Sequence, residues 1–149
     1  MFKKLSCIFL TVMLIMVSAM PTYANSPEVK YFSDGSYVVT TITSPEISLF
    51  SSTATRTKSS IYYSSSNKKL WSVSVTGTFI YGNGSASCTS SSCSASSYDR
   101  NWSVGNKKAS KIRNKATASA TGVEYINGHQ VQSYSKSVTL TCSSTGQFS

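Results

Sequence analysis

The chain has little of the chemistry on which enzymes depend. It contains one histidine, His129, and only five acidic residues among 149. A Ser/His/acid triad would have to use Glu124, the only carboxylate close to His129 in sequence. The spacing of Glu124 and Asp99 does not suggest a carboxylate pair, and phosphate loops, zinc motifs and dinucleotide fingerprints are absent. We therefore expect a protein that is not an enzyme and that binds no metal or cofactor.

Helical patterning is also missing from the chain. No window carries an apolar stripe at helical spacing, and beyond the N-terminal segment leucine and isoleucine are scarce. The large apolar side chains are mostly valines and aromatic residues, which suit the pleated surface of a sheet. The composition predicts an all-β protein, a small antiparallel β-sandwich or meander of about seven strands joined by tight hairpin turns.

The N-terminal segment predicts export. Lys3 and Lys4 precede an apolar run over residues 7–17, and a stretch of small residues ends at Ala24. This is the pattern of a signal peptide cleaved after Ala24. The run is too short for a comfortable membrane span and no second apolar segment follows, so we expect a secreted or cell-surface-associated protein. Removing the two lysines with the signal peptide lowers the formal net charge from +9 to about +7.

The remaining chain has the length of one domain. We expect a signal peptide over 1–24, a loose N-terminal segment over 25–35, and a single all-β domain over 36–149. The first two strands of that domain are predicted at residues 37–43 and 53–64. The second of them is polar almost throughout, so we interpret it as edge-like, anchored by Ile61-Tyr62-Tyr63.

The central feature is a hairpin that begins near Lys69. Apolar residues alternate with serine and threonine from Trp71 to Tyr81, and Asn83-Gly84 suits a type I′ turn. Pairing across this turn places Phe79 opposite Cys88 and Tyr81 opposite Ala86. The serine run after Cys88 faces the Trp71 strand, so we interpret it as strand as well.

The C-terminal part predicts three further strands. They cover residues 101–104, 107–126 and 129–142, with tight turns at Gly105-Asn106 and Asn127-Gly128. The apolar positions change parity near Gly122. A β-bulge at Gly122 would keep both Ala116 and Tyr125 on the core face.

Three cysteines remain after cleavage of the signal peptide. Strand parity places Cys88 and Cys142 inward, whereas Cys93 falls opposite Ser74 and outward. We predict a Cys88–Cys142 disulfide that leaves Cys93 unpaired. The alternative is three reduced thiols, because export permits disulfides without ensuring them.

A basic segment is the one functional signal of any size. Parity predicts that four of its cations share one strand face, namely Lys107, Lys111, Arg113 and Lys115, with Lys108 among them in sequence. Pairing across the Gly105-Asn106 turn would bring Tyr98, Arg100 and Trp102 beside them. Basic groups next to aromatic rings suit an anionic cell-wall polymer, an acidic glycan or a nucleic acid.

Two other interpretations remain open for this segment. Lysines on a solvated strand also block edge-to-edge aggregation of sheets. A different class of function is a membrane-active or toxin-like protein that positive charge draws to anionic lipid. Nothing in the sequence indicates the oligomeric state.

The chain resembles a family of small exported proteins from Gram-positive anaerobic bacteria that has no assigned activity. The resemblance rests on LWSVSVTGTF at 70–79, CTSS from Cys88, NWSV at 101–104, KATASATG at 115–122 and VTLTCS at 138–143. It covers most of the chain from about Leu70 onward. It implies a bacterial exported protein with cysteines matching Cys88 and Cys142, and Cys93 departs from the family pattern.

Overall fold

The structure is a computed structural model that describes residues 26–43 and 52–149; the predicted signal peptide lies outside them. The described residues form eight β-strands and no helix. The strands are β1 (Glu28–Tyr31), β2 (Tyr37–Thr43), β3 (Thr53–Tyr63), β4 (Lys69–Gly82), β5 (Ser85–Ser97), β6 (Trp102–Ile112), β7 (Lys115–Ile126) and β8 (His129–Thr141).

The strands form two antiparallel sheets that pack face to face. One sheet has the order β1-β2-β3-β4-β5 and the other β6-β7-β8, so each sheet is a meander of consecutive strands. Residues 98–101 carry the chain from one sheet to the other. The predicted all-β sandwich is therefore confirmed. Strand β1 lies inside the segment for which we predicted no strand, and its four residues are all exposed.

Strand β4 supplies the centre of the core because its alternation is strict. Trp71, Val73, Val75 and Phe79 are all 0% exposed and face the three-stranded sheet. On the opposite face, hydroxyl groups of β4 bond to those of β3, for example Thr57 to Thr76 at 2.8 Å. The prediction that β3 is edge-like was wrong, since it lies between β2 and β4. Its polar residues serve these hydroxyl pairs on the outer face.

Strand β7 faces β4 with small residues only. Ala116, Ala118, Ala120 and Gly122 are buried at alternate positions, and no register shift occurs at Gly122. The predicted bulge there was wrong. Gly122 faces the core in regular register, and a Cβ atom at this position would lie 2.4 Å from Trp71 Cε2. The absence of a side chain makes room for the indole ring.

The turns were predicted correctly at two places and wrongly at a third. Asn83-Gly84 and Asn127-Gly128 join β4 to β5 and β7 to β8, each with both residues at positive φ. Gly105-Asn106 is not a turn, because β6 runs through it with a bulge. Asn106 has the expected positive φ of 52°, but inside that bulge. The third turn is Arg113-Asn114, where Arg113 has φ 54°.

The cysteines differ from prediction in two respects. Phe79 pairs with Cys88 as expected, but a bulge at Thr89 shifts the later register and places Cys93 opposite Val75. Cys93 therefore faces inward, where its thiol donates to Ser119 O at 3.6 Å. The structure also differs from the predicted disulfide, since Cys88, Cys93 and Cys142 are all free in it.

The turn at Arg113-Asn114 lies beside the backbones of both Cys88 and Cys142. The Cys88 N–H donates to Arg113 O at 2.7 Å, and the Cys142 N–H donates to Asn114 O at 3.0 Å. The same turn therefore anchors the backbone of each cysteine. Both are buried, as predicted, and burial raises the pKa of both thiols.

The core has two distinct ends. At one, which we call the aromatic end, Trp71 packs with Tyr62 at 4.4 Å and with Trp102 at 6.5 Å between ring centroids. At the other, the cysteine end, Phe79 lies near Cys88, Leu140 and Cys142.

Candidate functional site

The predicted basic face is divided between two locations. Lys107 Nζ donates to Ala95 O at 2.7 Å, and Lys111 Nζ donates to Thr89 O. Both ammonium groups therefore cap backbone carbonyls of β5, the edge strand of the larger sheet. Lys115 pairs with Ile112 on the opposite, outer face of the hairpin. The prediction of one shared face was wrong because a bulge and a turn interrupt the alternation.

The predicted aromatic neighbours of the basic segment lie elsewhere. Trp102 is 5% exposed and stacks on Trp71 and Tyr134, so its ring is part of the core. Tyr98 is exposed, with its hydroxyl 3.2 Å from Ser72 Oγ and Lys69 Nζ 5.8 Å from its ring centroid. Arg100 is exposed in the connection between the sheets. None of the three lies across a hairpin turn from the lysines.

Lys108, which strand parity left off the predicted basic face, does line a concave surface. A shallow hollow of about 560 Å³, which we call the lysine hollow, crosses the three-stranded sheet beside the β6 bulge. It is lined by Asn106, Lys108, Ser119, Ala120, Thr121, Ser135, Lys136 and Ser137. One ammonium group, that of Lys108, an amide and four hydroxyl groups thus share a surface without a carboxylate. Lys136 borders the hollow, but it pairs with buried Ala120 and therefore lies on the inner face of the sheet. Thr121 Oγ1 and Ser135 Oγ lie 2.9 Å apart across the hollow.

A second concavity lies at the aromatic end, and sequence reasoning missed it. This cleft, which we call the aromatic cleft, has a volume of about 160 Å³. Its lining comprises five aromatic residues, two carboxylates and other, mainly polar, groups: Phe32, Asp34, Ser36, Tyr62, Tyr63, Ser64, Ser65, Leu70, Trp102, Glu124, Gln132 and Tyr134. These residues come from distant parts of the chain, so no local pattern announces the cleft.

Hydrogen bonds hold both carboxylates of the aromatic cleft in place. Glu124 Oε2 accepts from Gln132 Nε2 at 2.5 Å, and the Tyr134 hydroxyl donates to Gln132 Oε1 at 3.1 Å. Asp34 Oδ1 accepts from the hydroxyl and the backbone N–H of Ser36, at 2.6 and 3.0 Å. These two bonds lower the pKa of Asp34, because they favour its charged form. Burial beside Tyr134 raises the pKa of Tyr62.

Charge is distributed unevenly between the two ends of the sandwich. Asp34, Asp99 and Glu124 lie at the aromatic end, where Asp99 Oδ2 is 2.5 Å from Lys68 Nζ. The hydrogen bond from Lys68, followed by that from the Asn101 N–H, lowers the pKa of Asp99. Cations lie at both ends: Lys68, Lys69 and Arg100 at the aromatic end, and Arg56, Lys111, Arg113 and Lys115 at the cysteine end, where no side-chain carboxylate is found among the described residues.

The candidate catalytic residues have partners unrelated to catalysis. His129 is exposed and pairs with Ile126 beside the hairpin turn, while Glu124 is held by Gln132 and Asp99 by Lys68. Within residues 26–43 and 52–149, no three His, Cys, Asp or Glu side chains come together as a metal would require. The same residues include no helix of sufficient length and apolarity to cross a membrane.

Comparisons of the chain with protein-family models, with curated proteins and with solved structures gave no significant match. The candidate functions must therefore be argued from the two concave surfaces themselves.

Proposed function

We propose that this protein is exported and acts as a binding or cell-surface-associated protein for an anionic polymer, without enzymatic activity. The observation that carries the proposal is the lysine hollow. It combines Lys108 with hydroxyl and amide groups on the outer face of the three-stranded sheet, and no carboxylate lines it. The candidate partners are an anionic cell-wall polymer, an acidic glycan and a nucleic acid.

The chemistry of the lysine hollow suits repeated anionic groups. Ammonium groups attract phosphate, sulfate or carboxylate as point charges, and hydroxyl groups donate hydrogen bonds to the same oxygens. Lys115 and Arg113 extend the positive surface toward the tip of the β6–β7 hairpin. Since a long polymer can contact several of these cations together, weak individual contacts suffice for retention.

The two interpretations of the basic segment then apply to different lysines. Lys107 and Lys111 donate hydrogen bonds to backbone carbonyls of the edge strand β5. These two lysines therefore fit the role of protecting a sheet edge against aggregation. Lys108 and Lys115, which share the outer face of the β6–β7 hairpin, carry the proposed binding role. The division supplies a matched pair of variants with similar changes in charge.

The test is retention on purified cell wall, on heparin and on single-stranded nucleic acid over a range of salt concentrations. We expect the wild type to be retained, with a log–log slope of roughly −0.7 to −0.9 per phosphate contact on nucleic acid. The double variant Lys108→Gln, Lys115→Gln should lose retention and keep its thermal stability, because exposed charges contribute little to folding.

The matched control is the double variant Lys107→Gln, Lys111→Gln. It should retain the polymer much better than the Lys108/Lys115 variant but unfold more easily, by about 1 kcal/mol for each lost bond to a β5 carbonyl. Equal losses of retention in the two variants would mean that net charge alone, and not the lysine hollow, governs binding. A wild type that is not retained on any of the three polymers would refute the proposal. Dye release from anionic vesicles at low protein concentration would instead favour a membrane-active protein.

A further inference from the structure

The lining of the aromatic cleft is acidic, whereas the protein as a whole is basic. The chain carries 14 Lys and Arg residues against five Asp and Glu. Of the twelve residues that line the cleft, two are acidic and none is Lys or Arg. In a strongly basic protein, such a lining disfavours an anionic ligand and favours a positively charged one.

The aromatic rings of the cleft also attract a positively charged ligand. The centroids of Phe32, Tyr62 and Tyr134 lie 6.1 to 6.2 Å from one another, with their planes within 28° of parallel. Trp102 continues the group, 6.2 Å from Tyr134. The face of an aromatic ring is the negative part of its quadrupole, so it attracts an ammonium group placed over it. Rings and carboxylates together recur where proteins bind organic cations.

The charged groups of the cleft are already positioned. Glu124 is fixed through Gln132 to the Tyr134 hydroxyl, and Asp34 is fixed by Ser36. A ligand therefore contacts carboxylates that are already ordered, which lowers the entropic cost of binding. The volume of about 160 Å³ suits a small head group rather than an extended molecule.

We propose that the aromatic cleft binds a small organic cation, a primary or quaternary ammonium compound, between its aromatic rings and the carboxylates of Glu124 and Asp34. The cleft shares no lining residue with the lysine hollow. This second site is thus independent of the proposed polymer binding, and either can fail without the other.

The experiment compares choline with 3,3-dimethylbutan-1-ol, its uncharged carbon isostere, by calorimetric titration and by the fluorescence of the tryptophans at the cleft. Choline should bind saturably and at least about tenfold more tightly than the alcohol, since only the cation gains from rings and carboxylates. Equal affinity for the two compounds, or no saturable binding of choline, would overturn the proposal.

Variants then locate the site. Glu124→Gln keeps the shape of the side chain and should weaken choline binding by about tenfold, as loss of one charged contact implies. Asp34→Asn should weaken it less, because Asp34 is more exposed. The control is Glu28→Gln, which removes an equal charge from exposed strand β1, outside the cleft lining. An equal effect of Glu28→Gln and Glu124→Gln would contradict the assignment, and thermal melts of each variant separate a binding defect from unfolding.

Discussion

The aromatic end and the cysteine end share the strands of one sandwich but bury different groups. At the cysteine end, Phe79, Leu140 and Cys142 are fully buried. The C-terminal tail closes this end, where Phe148 meets Phe79 edge-on at 5.4 Å and pairs with Cys142. At the aromatic end the buried groups include the carboxylate of Asp99, and the rings of Phe32 and Tyr134 are only partly covered.

If the aromatic cleft binds a ligand as proposed, the aromatic end provides the site while the cysteine end provides mainly stability. Closely packed apolar groups at the cysteine end supply folding energy and leave little for a ligand to contact. The aromatic end keeps large rings and carboxylates beside open space, which costs stability but provides a cleft. Substitutions at matched positions of the two ends can test this interpretation.

The largest effect should follow from truncating a phenylalanine at the cysteine end. Phe79→Ala removes a ring that is 0% exposed, so we expect a loss of about 4 kcal/mol in the free energy of unfolding. Phe32→Ala, at the wall of the aromatic cleft, removes a partly buried ring and should cost about 1.5 kcal/mol. Urea denaturation at equilibrium measures both. Similar losses would show that the two ends contribute equally to stability.

An intermediate effect should follow from adding one methyl group beneath Trp71. In Gly122→Ala, the new Cβ atom would lie 2.4 Å from Trp71 Cε2, so the indole or the sheet must shift. We expect a loss of about 2 kcal/mol, as for other overpacked cores. Gly105→Ala on the neighbouring strand is the control, since nothing lies within 4 Å of its Cβ. Near-ultraviolet circular dichroism should report the displaced indole, and an unchanged spectrum with unchanged stability would contradict the close approach.

The smallest effect concerns the dependence of stability on pH at the aromatic end. The pKa of Asp99 lies below its ordinary value of 3.8 in the folded protein, because Lys68 and the Asn101 N–H bond to the charged carboxylate. Its contribution is therefore complete above pH 3.8 and is lost as the pH falls through the folded pKa. Asp99→Asn should melt at a lower temperature than the wild type at neutral pH, and the difference should shrink in acid. A difference that stays constant from neutral pH into acid would contradict the assignment.

The sequence predicts those parts of the fold in which each strand has one clearly apolar face. Strand β4 and the turns Asn83-Gly84 and Asn127-Gly128 follow from alternation and from residues that tolerate positive φ. The errors arise where that signal is ambiguous. Asparagine tolerates positive φ, and Asn106 adopts it. Because such residues occur in both bulges and turns, the residue type alone does not distinguish the two. Arg113 adopts it without any sequence signal.

Bulges also explain why the candidate sites were poorly predicted. The extra residue Thr89 lies in a run of serines, where no change in apolar parity reveals it, so the direction of Cys93 was inverted. For a similar reason, the sequence did not show that the cations of the basic segment lie on different faces. The aromatic cleft depends on how the two sheets pack, which brings Phe32 to Tyr134 across about a hundred residues, and local periodicity contains no information on that contact.

The meander topology has a consequence for how the chain reaches its folded state. Each strand pairs with its neighbour in sequence, so pairing within either sheet closes only short loops. Hairpins of this kind form in about 1–10 microseconds, starting at their turns. The one step that depends on distant contacts is docking of the two sheets, hinged at residues 98–101. The barrier to folding should then lie in that docking step, and core substitutions at the interface of the sheets should slow folding more than changes in the outer hydroxyl pairs.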